Sequence, residues 1–313
     1  MVTALLITAR AVQIGTSILI AGIFTFQLIP LGLTAALPTK GDLREVERRL
    51  LRLALWSLVT ALLSALLWFW VEVASMSGVS LASAFSIIAW RTVLFETEFG
   101  RVWQLRFGLI AVVFALITSG LAQDEARRMP IVIRWLLGIV LLGSLAWISH
   151  AAAARVQPLG LLGDTLHLCA AGTWLGGLVS LAIFLARAGA APSSSRAAAS
   201  VLQRFSTLSL CCVGVLVLSG ISNTWLLVGS IHALFTTSYG RLLLFKLALF
   251  GILLGFGARN RFVVKAKLLS VPADSALLSQ VRRNVICEAF LGLAIVAIVA
   301  CLGETSPRNI TNL

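Results

Sequence analysis

Long stretches without a single charged side chain dominate this sequence and leave it few ways to fold. Residues 11–39, 53–71, 107–123, 135–154, 165–186 and 205–240 contain no Asp, Glu, Lys or Arg, and two shorter runs follow at 247–258 and 289–303. A helix crossing a bilayer needs about 20 apolar residues, so eight such helices account for roughly half of the 313 residues. The two short runs must extend past Lys246 and Glu288 toward the interfaces, where long side chains can snorkel. Little chain remains for an extramembrane domain. Charged residues make up only 12% of the whole, with a mean hydropathy of +0.99. Soluble domains carry about 25% charged residues. A soluble enzyme, a disordered tail and a secreted disulfide scaffold are thereby excluded.

The expected fold is all-α: a polytopic membrane helix bundle of eight transmembrane helices in one domain. The first run lacks a basic leader and is too long for a signal peptide core, so it is read as helix 1. Residues 73–90 are also uncharged but carry five serines, and the basic residues decide their status. With eight spans, Lys and Arg number five, three, three and six in loops 1–2, 3–4, 5–6 and 7–8, 17 on one side against 8 on the other. Counting 73–90 as a ninth span makes the split 13 to 12, and the bias disappears. Eight spans are therefore expected, with the basic side cytoplasmic and both termini periplasmic. Segment 78–95 becomes an interfacial helix on the outer face.

The net charge of +13 would suggest nucleic acid in a soluble protein. No basic stripe interleaves with aromatics here, so these are orienting loop charges and no nucleic-acid partner is expected; the partner is the lipid bilayer. The cysteines (Cys169, Cys211, Cys212, Cys287, Cys301) have no CxxC spacing and lie in apolar runs, where they act as small hydrophobes.

An internal echo bears on architecture. Leu94-Phe-Glu-Thr-Glu-Phe-Gly-Arg101 recurs as Leu234-Phe-Thr-Thr-Ser-Tyr-Gly-Arg241, each followed five residues on by a basic residue, Arg106 and Lys246. A weaker match lays Gln13…Gly22 over His167…Gly176. Both copies enter helices in the same direction, so a 4+4 parallel pseudo-repeat is expected, with halves of about 1–149 and 150–313. Gly172-x-x-x-Gly176 and Gly251-x-x-x-Gly255 have the spacing of close helix contacts.

This topology places the three histidines on the outer side: His150 at the end of helix 4, His167 about one turn into helix 5, and His232 in the loop between helices 6 and 7. His150 and His167 flank one short loop, and antiparallel helices so joined are commonly neighbours, so their imidazoles could converge on one ion. Asp164, His167, Ala171 and Trp174 share one helix face. Asp164 reads either as a partner fixing the His167 tautomer or as an N-cap of helix 5. Trp174 reads as a lid on the site or as packing. His167 itself is a metal or proton group, or a histidine bonded to a neighbouring helix. His232 is the weakest ligand candidate. Imidazole suits copper, zinc, iron and nickel, and three methionines give no thioether ladder. Residue chemistry alone stops at a transition-metal or haem site.

The stretch Trp147-Ile-Ser-His150-Ala-Ala-Ala, with Gly163-Asp-Thr-Leu-His167-Leu-Cys-Ala-Ala-Gly-Thr-Trp174-Leu-Gly-Gly177-Leu, resembles the copper-resistance protein D (CopD) family. So does Thr237-Ser-Tyr239-Gly240-Arg241-Leu-Leu-Leu-Phe-Lys246-Leu. The resemblance covers most of the chain. It implies a bacterial inner-membrane protein that is not an enzyme and handles copper with a periplasmic carrier of the CopC type, moving it from periplasm toward cytoplasm. His150 and His167 match the family's helix 4 and helix 5 blocks and become the expected outer entry site, with Cu(I) between two neutral imidazoles. Many relatives have a histidine near the start of helix 1 where this chain has Gln13, so no third ligand carries over from there. Two other readings stay open: a haem-b electron-transfer protein using the same histidines as axial ligands, and a docking partner for a periplasmic copper protein.

Overall fold

The structure is a computed structural model and describes residues 2–29, 40–122, 131–149, 157–188, 195–264 and 275–306. Among these residues the regular structure is helical throughout: α1 (Val2–Leu28), α2 (Lys40–Ser77), α3 (Ile87–Glu96), α4 (Glu98–Ala122), α5 (Ile131–Gly143), α6 (Gln157–Ala171), α7 (Gly177–Ala188), α8 (Ser195–Leu227), α9 (Ile231–Thr236), α10 (Ser238–Arg259) and α11 (Ser275–Leu302). A 3-10 turn, Ser144–Ile148, prolongs α5, and a π-turn, Gly172–Gly176, joins α6 to α7 in one long helix. Eight helices are long and apolar enough to cross a membrane: Val2–Leu28, Arg44–Ser77, Glu98–Ser119, Ile131–Ile148, Pro158–Ala188, Ala198–Leu227, Ser238–Phe262 and Ala276–Leu302. The protein is a multi-pass membrane protein.

Helix α1 runs through the middle of the bundle, packed against α2, α5, the π-turn, α7 and α11. Ile20 through Gln27 are buried in succession, as a helix surrounded on all sides requires. At Gly22 a Cβ would sit 2.2 Å from the Gly176 carbonyl carbon, so α1 and the π-turn meet backbone to backbone. Gly172 and Gly176 thus do the packing their spacing suggests. Gly251 and Gly255 do not: a Cβ at either meets nothing within 4 Å, because that face of α10 looks outward. At the basic end of the bundle, Glu45 of α2 pairs with Arg187 at 2.9 Å and Glu47 with Arg134 at 3.9 Å, fastening the ends of α7 and α5 to α2.

The segment expected as one interfacial helix over 78–95 is broken in the structure. Gly78 has a φ of 65° and turns the chain out of α2; a 3-10 turn at Ser83–Phe85 follows, then α3. The serines explain the break, since Ser80 accepts from the Ser83 backbone N–H and so competes with a helix ladder. Ile87 and Ile88 are about three-quarters exposed, which suits an apolar edge lying against lipid.

The echoed octapeptide forms the same corner twice. Thr97 donates its hydroxyl to the Val93 carbonyl at 2.7 Å and accepts from the Gly100 N–H at 2.9 Å. Thr237 repeats this with Ala233 and Gly240 at 2.7 and 2.9 Å. A Cβ at Gly100 would lie 2.1 Å from the Val93 oxygen, and at Gly240 2.4 Å from the Ala233 oxygen. Only glycine lets α4 and α10 start so close to the short helices before them.

Candidate functional site

The half of the bundle away from Glu45 and Arg187 holds a cavity of about 690 Å³, within the size range of small-ligand sites. Its walls are mainly apolar side chains of α8, α10 and α11, with Asp164, His167, Asn223, Lys246 and Arg10 supplying polar groups. Asp164 and His167 come from α6. That helix begins at Gln157 with Pro158 in its first turn, where the missing N–H costs nothing. Asp164 therefore lies two turns inside α6 and is not its N-cap, and His167 sits about 15 Å from the helix start rather than one turn in.

The hydrogen bonds of His167 assign its tautomer. The Ser219 hydroxyl donates to the Val215 carbonyl at 2.6 Å, so its oxygen is left to accept from His167 Nδ1–H at 3.0 Å. The lone pair on Nε2 then faces the Lys246 ammonium, 3.5 Å away, a long contact by hydrogen-bond standards. The partner of Nδ1 is thus Ser219 and not Asp164. Asp164 instead accepts from the Ser149 hydroxyl at 2.7 Å and from Asn223 at 3.5 Å, tying α6 to the end of the fourth span and to α8.

Trp174 is buried in the π-turn, lines the cavity and packs edge-on against Phe250, centroids 6.1 Å apart. π-Turns of this kind often mark functional positions in helices. His232 is exposed on α9, does not line the cavity, and offers its backbone oxygen to Thr236. His150 lies outside the described residues; the residue before it, Ser149, is the one that binds Asp164. Among the described residues no group of three or more His, Cys, Asp or Glu side chains comes together. The cysteines are free thiols.

Lys246 and Glu288, expected to snorkel, turn inward instead. Lys246 is in the cavity wall, and Glu288 is 3% exposed and accepts a hydrogen bond from Asn260 at 2.5 Å, with Asn284 bonded to Asn260 at 2.7 Å.

The first four spans carry a matching arrangement. Gln13 of α1 is fully buried. Its amide donates to the Ala61 carbonyl at 2.8 Å and to Ser64 at 2.6 Å on α2, and accepts from Arg106 of α4 at 2.6 Å. Arg106, also fully buried, donates further to the Leu141 carbonyl at 2.8 Å, Ser144 at 2.6 Å and Ser17 at 3.3 Å. In each half a side chain of the first helix meets a serine of the second and a basic residue of the third. Three residues before Gln13, Arg10 lies over the Trp68 ring at 4.8 Å and pairs with Glu304 at 2.9 Å.

Comparison with known families places both halves of the chain. A model described as copper resistance protein D-like, N-terminal domain, matches residues 1–157, and one described as copper resistance protein D matches residues 199–302. Over 224 residues the chain is 30% identical to the copper transport protein CutJ of Bacillus subtilis strain 168, covering 70% of this chain but 40% of CutJ. It is 29% identical over 227 residues to copper resistance protein D of Pseudomonas syringae pv. tomato, covering 68% and 70% of the two chains. To the inner membrane protein YebZ of Escherichia coli K12 it is 30% identical over 231 residues, 72% and 74% of each. No solved structure matches.

Proposed function

The chain belongs to the copper resistance protein D family, and from that premise we propose that it carries copper across the inner membrane, from periplasm toward cytoplasm, taking it up at His167. The observation that carries this reading is the tautomer of His167. Its Nδ1 is tied to Ser219 while the Nε2 lone pair is presented inside a cavity at the outer end of the bundle. A neutral imidazole held in one orientation is a good ligand for copper. Cu(I) needs few ligands, so His167 with His150 from the chain after Ser149 makes a sufficient pair. Such loose coordination permits release as well as capture, which passage requires.

Four further elements belong to the same reading. The basic end of the bundle is cytoplasmic and both termini are periplasmic, supported by the 17-to-8 distribution of Lys and Arg. The bundle is a parallel pseudo-repeat of four plus four spans, supported by the twin Thr–Gly corners and the matching trios around Gln13 and His167. Copper arrives from a periplasmic carrier of the CopC type, with exposed Glu96 and Glu98 at the outer rim as the docking feature. Trp174 closes the inner side of the cavity beneath His167, so the first coordination event takes place above it.

The test is metal content of monodisperse protein, measured beside cellular copper accumulation. His167→Ala is expected to lose most of the bound copper and the accumulation, with His232→Ala unchanged. A haem Soret band in purified wild-type protein would replace copper with haem as what His167 binds, and wild-type copper content in His167→Ala would remove the site.

A further inference from the structure

Among the described residues, Lys246 is the polar group that faces the Nε2 lone pair of His167, and it occupies the direction from which an ion would bind. Its counterpart in the first half, Arg106, is held by Gln13, Ser17, Ser144 and the Leu141 carbonyl, and does not line the cavity. Lys246 meets Nε2 at 3.5 Å and has a cavity of about 690 Å³ at its side. The same wall carries the carboxylate of Asp164. A carboxylate has about four acceptor positions, and Ser149 and Asn223 are among the donors that hold Asp164 in place.

We propose that Lys246 is a tethered cation that fills the copper position when the site is empty, and that copper binds His167 by displacing its ammonium toward Asp164. The proposal rests on His167 being the uptake ligand and adds how the site is emptied. A bound copper ion and an ammonium cannot share the Nε2 lone pair, and two cations a few ångströms apart in a low-dielectric cavity repel strongly. The lysine therefore sets an upper limit on copper affinity and helps to expel the ion. Arg106, fixed in the equivalent place, makes the first half a closed version of the same arrangement.

The experiment measures Cu(I) affinity of the purified full-length protein by competition with a chromophoric Cu(I) chelator at one fixed pH. Lys246→Met is expected to tighten binding by roughly ten-fold or more, since the competing charge is gone, and Lys246→Arg to weaken it by fixing a cation over the imidazole. Asp164→Asn is expected to weaken binding in the presence of Lys246 and to have almost no effect in the Lys246→Met background. Lys246→Gln, which keeps a polar head, carries the same prediction as Met should the Met variant not remain monodisperse. Unchanged or weaker binding in the uncharged variants, or equal effects of Asp164→Asn in both backgrounds, would overturn the displacement. Retention of full affinity in His167→Ala would instead fail the uptake site itself, and so separates the two claims.

Discussion

A single imidazole nitrogen shows how far the physics of one residue reaches. Asp164 and His167 stand out in the sequence because an ionisable side chain in an apolar run must be satisfied by something. What satisfies them is invisible there. Ser219 is one of many serines, 52 positions beyond His167, and Lys246 is 79 positions beyond it; only the folded bundle brings them together. The usual carboxylate–histidine pattern points to Asp164 as the Nδ1 partner, but Asp164 instead joins Ser149 and Asn223. Arg106 was legible as an echo of Lys246 and not as the most heavily bonded side chain of the first half. Removing it leaves Gln13, Ser17 and Ser144 without a donor in a dry interior, and each orphaned buried group costs about 1–3 kcal/mol. Arg106→Met is therefore expected to lower thermal stability in detergent clearly, read by the unfolding midpoint, while His167 keeps its copper. Equal stability of the variant would mean that the guanidinium contributes no more than a well-packed apolar chain.

At the level of elements, the uncharged runs located the spans because bilayer thickness fixes helix length, whereas turns within them left no such trace. The start of α6 lies two turns before Asp164, and the residues between offer few helix signals besides Pro158. The break of segment 78–95 follows from competition by serine hydroxyls that a hydropathy profile does not see. The Thr–Gly corners were visible as a repeated octapeptide, and the geometry supplies their cause: a Cβ at Gly100 or Gly240 would collide with carbonyl oxygens at 2.1 and 2.4 Å. Those atoms belong to backbone and cannot swing away, so the helix must move. Gly240→Ala is expected to cost about 1–3 kcal/mol through such overpacking, seen as a lower unfolding midpoint. Gly251→Ala, on the open face, serves as the control and is expected to be neutral.

For the whole molecule, charge distribution decides orientation while packing decides where the cavity lies. The loops at one end hold 17 of the 25 Lys and Arg, so reporter fusions after Lys265 should read cytoplasmic and fusions near Gly160 periplasmic; the reverse would put His167 on the inner side and invert the direction of transport. The order of helices about α1 could not be read from the sequence, because lipid-facing and buried faces are equally apolar in a membrane protein. It is that order which sets α6, α8 and α10 around one imidazole. The central claim, that copper is held by His167, is tested most directly by X-ray absorption at the copper edge of the full-length protein loaded with Cu(I). The account predicts nitrogen coordination with the outer-shell scattering of imidazole, lost in His167→Ala; a sulfur-dominated spectrum, with copper on the free cysteines and no change in that variant, would contradict it.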